Sequence, residues 1–223
     1  MLPDGALDAD AEPEGNPGLD EPDRQATGPR FERWAAWLMA VGGGIGLVAA
    51  FDLTVEKIKL IEDPNYVPSC SINPILACGS VMKTHQASVF GFPNSLLGII
   101  GFTLVTTLGV LLVGRVRLPQ WVWWGLQVGV VLGVVFIHWL SFQSLYRIGA
   151  LCPYCMVVWT VTLPIAWYVT MRNLQAWCER RDDGGPAFAR IVLGAHGVLL
   201  AAWYVVFLVQ IFARFSDYWL SLV

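Results

Sequence analysis

Five stretches of this chain carry no Asp, Glu, Lys or Arg, and each is long enough, or nearly so, to cross a bilayer. They cover residues 34–51, 84–114, 118–146, 148–171 and 191–213, which is 18, 31, 29, 24 and 23 residues. A transmembrane helix needs about 20 mostly apolar residues. Lipid offers the backbone no hydrogen-bond partner, so a helix is the natural spanning form. Trimmed at proline and polar edges, the stretches predict spans near 34–53, 93–113, 119–140, 152–171 and 190–213. Composition agrees. The chain is 56% hydrophobic and 14% charged, against about 45–50% and 25% for an ordinary soluble domain. That excludes a disordered chain and a small disulfide scaffold, and it argues against a soluble enzyme. Pro164 predicts a kink in the fourth span. Gly42, Gly43, Gly44 and Gly46 give the first span a small-residue face for close packing.

The net charge of -3 hides two unlike parts. Residues 1–30 carry a balance of -6, with five Pro and four Gly and few bulky apolar side chains. Such a segment buries too little surface to offset ordering entropy, so it reads as a disordered acidic tail. Its acidic start does not fit a secretory signal peptide. The other 193 residues, 31–223, carry +3 and form the membrane domain. With the N-terminus in the cytoplasm, inner segments hold nine Lys or Arg and outer segments hold five. The bias predicts a cytoplasmic N-terminus and an outer C-terminus. Trp121, Trp123 and Trp124 then fit an aromatic belt at the inner face. No basic patch with interleaved aromatics suggests nucleic acid, and no metal or nucleotide motif appears.

That topology sorts the cysteines. Cys70 and Cys78 fall in the long outer loop between spans one and two, Cys152 and Cys155 open span four from the same side, and Cys178 falls in an inner loop. Four cysteines therefore face the compartment where disulfides persist, and the odd one faces the reducing cytosol. In Cys152-Pro153-Tyr154-Cys155, Pro153 suits the first helical position, and the positive helix end stabilises a thiolate. A static disulfide or half a zinc site are the bland alternatives. Zinc usually wants two such pairs or nearby histidines, so the residues favour a redox-active dithiol. Asn73-Pro74 reads as a helix start that would put Cys78 on a short helix and Cys70 on the loop before it. By itself the Cys70/Cys78 pair fits a structural staple or a redox pair equally. The second pair at the same face favours a relay.

The Cys-x7-Cys loop, the Phe92-Pro93-Asn94-Ser95 entry to the next span and the later Cys-x-x-Cys together resemble the vitamin K epoxide reductase family. The likeness runs through residues 33–171, a four-helix core. The helix at about 190–213 resembles the addition seen in the bacterial branch. The resemblance implies an all-α membrane protein, a four-helix bundle plus a fifth helix, with an outer loop carrying a short helix. It implies that Cys70 and Cys78 take electrons from a protein partner, that Cys78 exchanges with Cys152, and that Cys155 lies nearest a lipid quinone of the menaquinone or ubiquinone type. Asn94 would hydrogen-bond one quinone carbonyl. Thr84, six residues after Cys78, falls at a Ser or Thr position that supports catalysis. Trp159 replaces the tyrosine that binds the other carbonyl in the vertebrate enzyme, and its indole N–H can only donate. Many bacterial members carry a fused thioredoxin-like domain. None follows the fifth helix here, which implies a separate thioredoxin-like or DsbA-like partner and a bacterial inner membrane location.

From its residues alone, Asn94 fits a locally satisfied helix start as well as a ligand group. His85, His138 and His196 read as packed or interfacial, and Cys178 as a bystander. Two rivals stand beside the relay. A DsbB-like enzyme would run the same chemistry on an unrelated four-helix frame, with the Cys-x-x-Cys before the loop pair rather than after it. A small transporter would want polar residues in mid-membrane, and the spans offer almost none.

Overall fold

The computed structural model describes residues 29–73, 75–181 and 186–216. The expected acidic tail, residues 1–30, lies outside the described residues except for its last two, which already belong to a helix. Among the described residues the fold is helical, with two isolated β-bridges and no named strand. Five helices are long and apolar enough to cross a membrane: Arg33–Glu62, Ser95–Val113, Gln120–Ile148, Pro153–Glu179 and His196–Arg214. The expected all-α, five-span membrane architecture is the one observed.

The ends differ from expectation in instructive ways. Span one runs nine residues beyond 53, through Glu56, Lys57 and Lys59 to Glu62. Charge ends an apolar run but not a helix: Glu56 and Lys57 find partners in the loop above them, and Lys59 pairs with Glu56 one turn back. Span three runs on through a π-helical turn, Gln143–Ile148, and stops at Gly149, whose φ of 70° only glycine adopts without strain. Span four continues through Pro164 to Glu179. Cys178 is therefore buried in a last helical turn rather than placed in a loop. The fifth segment is two helices, Ala187–Gly194 and His196–Arg214, broken at Ala195. There the His196 ring Nδ1 lies 2.7 Å from the Leu193 carbonyl oxygen, next to a glycine of low helix propensity.

Span one packs on span two and on span four, and span three packs on span four. Spans two and three touch only slightly, and span five leans on span four and the end of span three. One apolar core joins the first four: Met39 and Ala50, Phe102 and Val105, Trp123, Leu126 and Val130, then Ile165, Ala166 and Val169. The small-residue face works selectively. A Cβ on Gly43 would sit 2.7 Å from the Thr106 hydroxyl, and one on Gly46 would overlap the Phe102 ring, whereas Gly44 faces open space. Of the expected tryptophan belt, Trp121 and Trp124 are exposed. Trp123 is buried in the core, with the Arg172 guanidinium 4.2 Å above its ring.

The connectivity brings four chain ends to one end of the bundle. Span one finishes there, span two begins, span three finishes and span four begins. The long loop of residues 63–94 and the short turn 149–152 therefore share one face.

Candidate functional site

Span four supplies the first pair. Pro153 takes the first helical position, and Cys152 precedes it in extended conformation (φ -105°, ψ 119°). The Cys152 carbonyl accepts the Met156 N–H at 3.0 Å. Cys152 is 1% exposed, and Cys155, one turn on, is half-buried; both are free thiols. A hydrogen bond from the Cys155 thiol, with further ones from the Cys155 and Tyr154 backbone N–H groups, holds the Cys152 thiol below its ordinary pKa. Burial opposes this and is outweighed.

The loop supplies the second pair as a disulfide, Cys70–Cys78, with Cα atoms 5.6 Å apart. Cys70 is 6% exposed and Cys78 is fully buried. Pro74, the expected first helical residue, lies outside the described residues, and Asn73 and Ile75 on either side of it are not helical. Asn73 does accept backbone hydrogen bonds, from Ile75 at 3.0 Å and Leu76 at 2.7 Å. The chain then folds back, Ser71 bridging antiparallel to Ala77, and the helix begins only at Cys78 and ends at Met82. Asn73 spends its acceptor on closing the turn, so helix nucleation waits four residues.

A second bridge seats this turn on span four. Leu151 donates its N–H to the Ile75 carbonyl at 2.7 Å, and Ala77 donates to the Leu151 carbonyl at 3.0 Å. Leu76 and Leu151 are thereby parallel bridge partners. Cys78 and Cys152 follow closely on the two sides, and their sulfurs lie 3.3 Å apart. Leu60, Met82 and partly buried Tyr66, Val81 and Tyr154 enclose the sulfurs in apolar side chains. Three of the four predicted cysteines therefore meet in one dry cluster, with Cys155 beside it. A thiol with a lowered pKa against a buried disulfide is an arrangement suited to thiol–disulfide exchange.

The other predicted residues spread around this centre. Thr84 donates its hydroxyl to the Val81 carbonyl at 2.7 Å and finishes the loop helix. Asn94 is engaged on both sides of its amide. Its oxygen accepts the Val89 N–H at 3.1 Å, and its nitrogen donates to the Gln86 carbonyl at 2.7 Å. One amide hydrogen remains for another acceptor. Trp159 lies one turn beyond Cys155 on the same helical face and is 4% exposed. Its ring meets Phe207 of span five edge-on at 5.7 Å, within a separate apolar cluster. Of the histidines, His138 accepts the Trp203 indole N–H at 3.0 Å, tying span three to span five.

Glu56 and Lys57 escaped the sequence reading. Glu56 is 7% exposed. It accepts the Tyr66 hydroxyl at 3.1 Å and the Ser69 backbone N–H at 3.2 Å, and it pairs with Lys59 at 3.7 Å. Lys57 donates to the Met82 carbonyl at 2.5 Å. No sequence signal singled them out, because charged residues are common at the ends of spans, where they reach the interface. Among the described residues no group of three His, Cys, Asp or Glu could hold a metal ion.

The sequence model of the vitamin K epoxide reductase family matches residues 37–170, more than half of the chain. The match ends before span five. No curated protein matches the chain.

Proposed function

The chain belongs to the vitamin K epoxide reductase family, and we infer that it passes electrons from a protein dithiol to a lipid quinone and so supports disulfide formation. The family's chemistry makes the chain a membrane thiol oxidoreductase that works with quinone. The finer reading names the direction. A separate thioredoxin-like or DsbA-like protein, having oxidised its own substrate, presents two thiols. Their thiolate opens the Cys70–Cys78 disulfide through a mixed disulfide, and the partner leaves oxidised. Cys78 thiolate then attacks Cys152 of a Cys152–Cys155 disulfide and releases Cys155 thiolate. Cys70 thiolate resolves the link by attacking Cys78, restoring Cys70–Cys78 and freeing Cys152. Two electrons now rest on the inner pair. They pass with two protons to the quinone, giving hydroquinone and the inner disulfide again.

The observation that carries this reading is the 3.3 Å contact between Cys78 and Cys152, one sulfur from each pair. A structural staple would have no need to touch a free thiol whose sulfur accepts hydrogen bonds. An outer pair joined beside an inner pair free is the arrangement the relay has just before quinone reduction. Asn94, with its remaining amide hydrogen, Thr84 and Trp159 are the proposed quinone-side groups. Trp159 acts from beneath Cys155.

On this reading residues 31–223 carry the activity and segment 1–30 takes no part. The cysteine end faces outward from a bacterial inner membrane, with the N-terminus cytoplasmic, as the charge bias suggests. The deciding experiment maps the cysteine redox state in membranes with and without added quinone, during turnover with a protein dithiol. Quinone-dependent oxidation of Cys152 and Cys155 is expected. An inner pair indifferent to quinone would defeat the reading. For orientation, an impermeant protease should spare residues 1–30 in sealed right-side-out vesicles and digest them once the membrane is opened.

A further inference from the structure

We propose that Glu56 and Lys57 are positioning residues, a two-armed clamp that holds the redox loop while its disulfide is open. The proposal rests on the relay above and adds to it a requirement on the loop. Adjacent residues on a helix point about 100° apart, so the two side chains reach different parts of the loop. Glu56 takes the Cys70 arm. Its carboxylate accepts the Tyr66 hydroxyl and both the N–H and the hydroxyl of Ser69, the residue before Cys70. Lys57 takes the Cys78 arm. Its ammonium donates to the carbonyl of Met82, the last residue of the helix that Cys78 begins. A cation there also complements the negative helix end.

The chemistry gives the clamp its purpose. While Cys70 and Cys78 are joined, the covalent bond closes the loop and the arms cannot separate. Once a partner has reduced them, that constraint is gone and the loop regains conformational freedom. Cys78 must still attack Cys152, and Cys70 must still return to resolve the link. Productive geometry then depends on noncovalent ties. The Leu76–Leu151 bridge fixes the turn between the cysteines, and Glu56 and Lys57 fix the chain on either side of it. A buried carboxylate is costly unless its oxygens are satisfied. Most of the bonds that satisfy Glu56 come from the four residues before Cys70, so departure of that arm would leave the charge stranded.

The test compares two electron donors on the full chain in lipid. Reduced thioredoxin, a protein dithiol, must work through the loop, whereas dithiothreitol can also reduce the inner pair directly. A short-chain ubiquinone serves as acceptor. In Glu56→Ala and in Lys57→Met, the ratio of thioredoxin-driven to dithiothreitol-driven turnover should fall tenfold or more. Glu56→Gln, which keeps one acceptor oxygen, should recover most of the ratio. Tyr66→Phe removes a single hydroxyl and gives a mild variant should Glu56→Ala fail to assemble; its ratio should fall at least twofold. In a Cys155→Ala background, Glu56→Ala should also lower the yield of Cys78–Cys152 cross-link. An unchanged ratio, or equal loss with both donors, would overturn the clamp. An unsubstituted protein that cannot couple thioredoxin to quinone at all would overturn the relay itself, a distinguishable failure.

Discussion

The Cys78 sulfur sits 3.3 Å from the Cys152 sulfur because Leu76, two residues before Cys78, and Leu151, the residue before Cys152, are bridge partners. Two backbone hydrogen bonds across 75 residues of sequence thus decide which loop cysteine meets the inner pair. The arm that carries Cys70 is held separately, by Glu56, which accepts the Ser69 N–H.

Replacing Cys155 with alanine should trap the relay midway. Cys152 then has no partner within its own helix turn, and Cys78 is the sulfur in contact with it. Peptide mapping under non-reducing conditions should find a Cys78–Cys152 link and a free Cys70. Recovery of only Cys70–Cys78, or of a Cys70–Cys152 link, would reject the order of transfer.

The loop pair and the inner pair should separate by electron donor. Cys70→Ala or Cys78→Ala should abolish quinone reduction driven by a protein dithiol, at least a hundredfold, yet retain turnover with a small dithiol. Cys178→Ser should alter neither. Cys178 lies 26 residues along the same helix from Cys152, roughly 39 Å at 1.5 Å per residue, and no exchange spans that distance. Steady-state rates with both donors check all three variants. Equal loss with both donors in the loop variants would make that pair structural.

Cys152 should ionise at a lower pH than an ordinary thiol. Hydrogen bonds to its sulfur, from Cys155 first, stabilise the thiolate, so the reactive fraction grows at lower pH than usual. In a Cys70→Ala/Cys78→Ala background, where no link to the loop can form, and with the inner pair kept reduced, ultraviolet thiolate absorbance would follow the titration. Adding Cys155→Val should move it upward, because the donor is lost. A titration that stays put would remove Cys155 as the cause.

The contact of spans one and two should tolerate no side chain at Gly46. A Cβ there would overlap the Phe102 ring, and forcing bulk into a packed interface costs about 1–3 kcal/mol. Gly46→Val should lower the thermal midpoint in detergent, whereas Gly44→Val, facing open space, should leave it nearly unchanged. Equal effects would mean the glycine face acts through helix propensity alone.

The sequence by itself determined the five spans, the shared face of the two cysteine pairs and the helix start at Pro153. Each follows from terms that are local or additive along the chain. An uncharged run of sufficient length partitions into lipid, counting spans fixes which loops share a side, and a proline with no N–H to satisfy suits the first helical turn. Charge misled only where it stopped the predicted spans, since Glu56, Lys57 and Arg172 remain helical by finding partners that no local pattern records. Tertiary structure decided the rest: the register that brings Cys78 to Cys152, a pairing that the family resemblance implied but no local pattern records, that Asn94 spends most of its amide on the 86–89 turn, that Trp159 is covered by Phe207, and that a buried carboxylate grips the Cys70 arm. These are contacts between segments up to 74 residues apart. Their register is set by packing and by backbone hydrogen bonds between elements, and no residue type at either end encodes its distant partner.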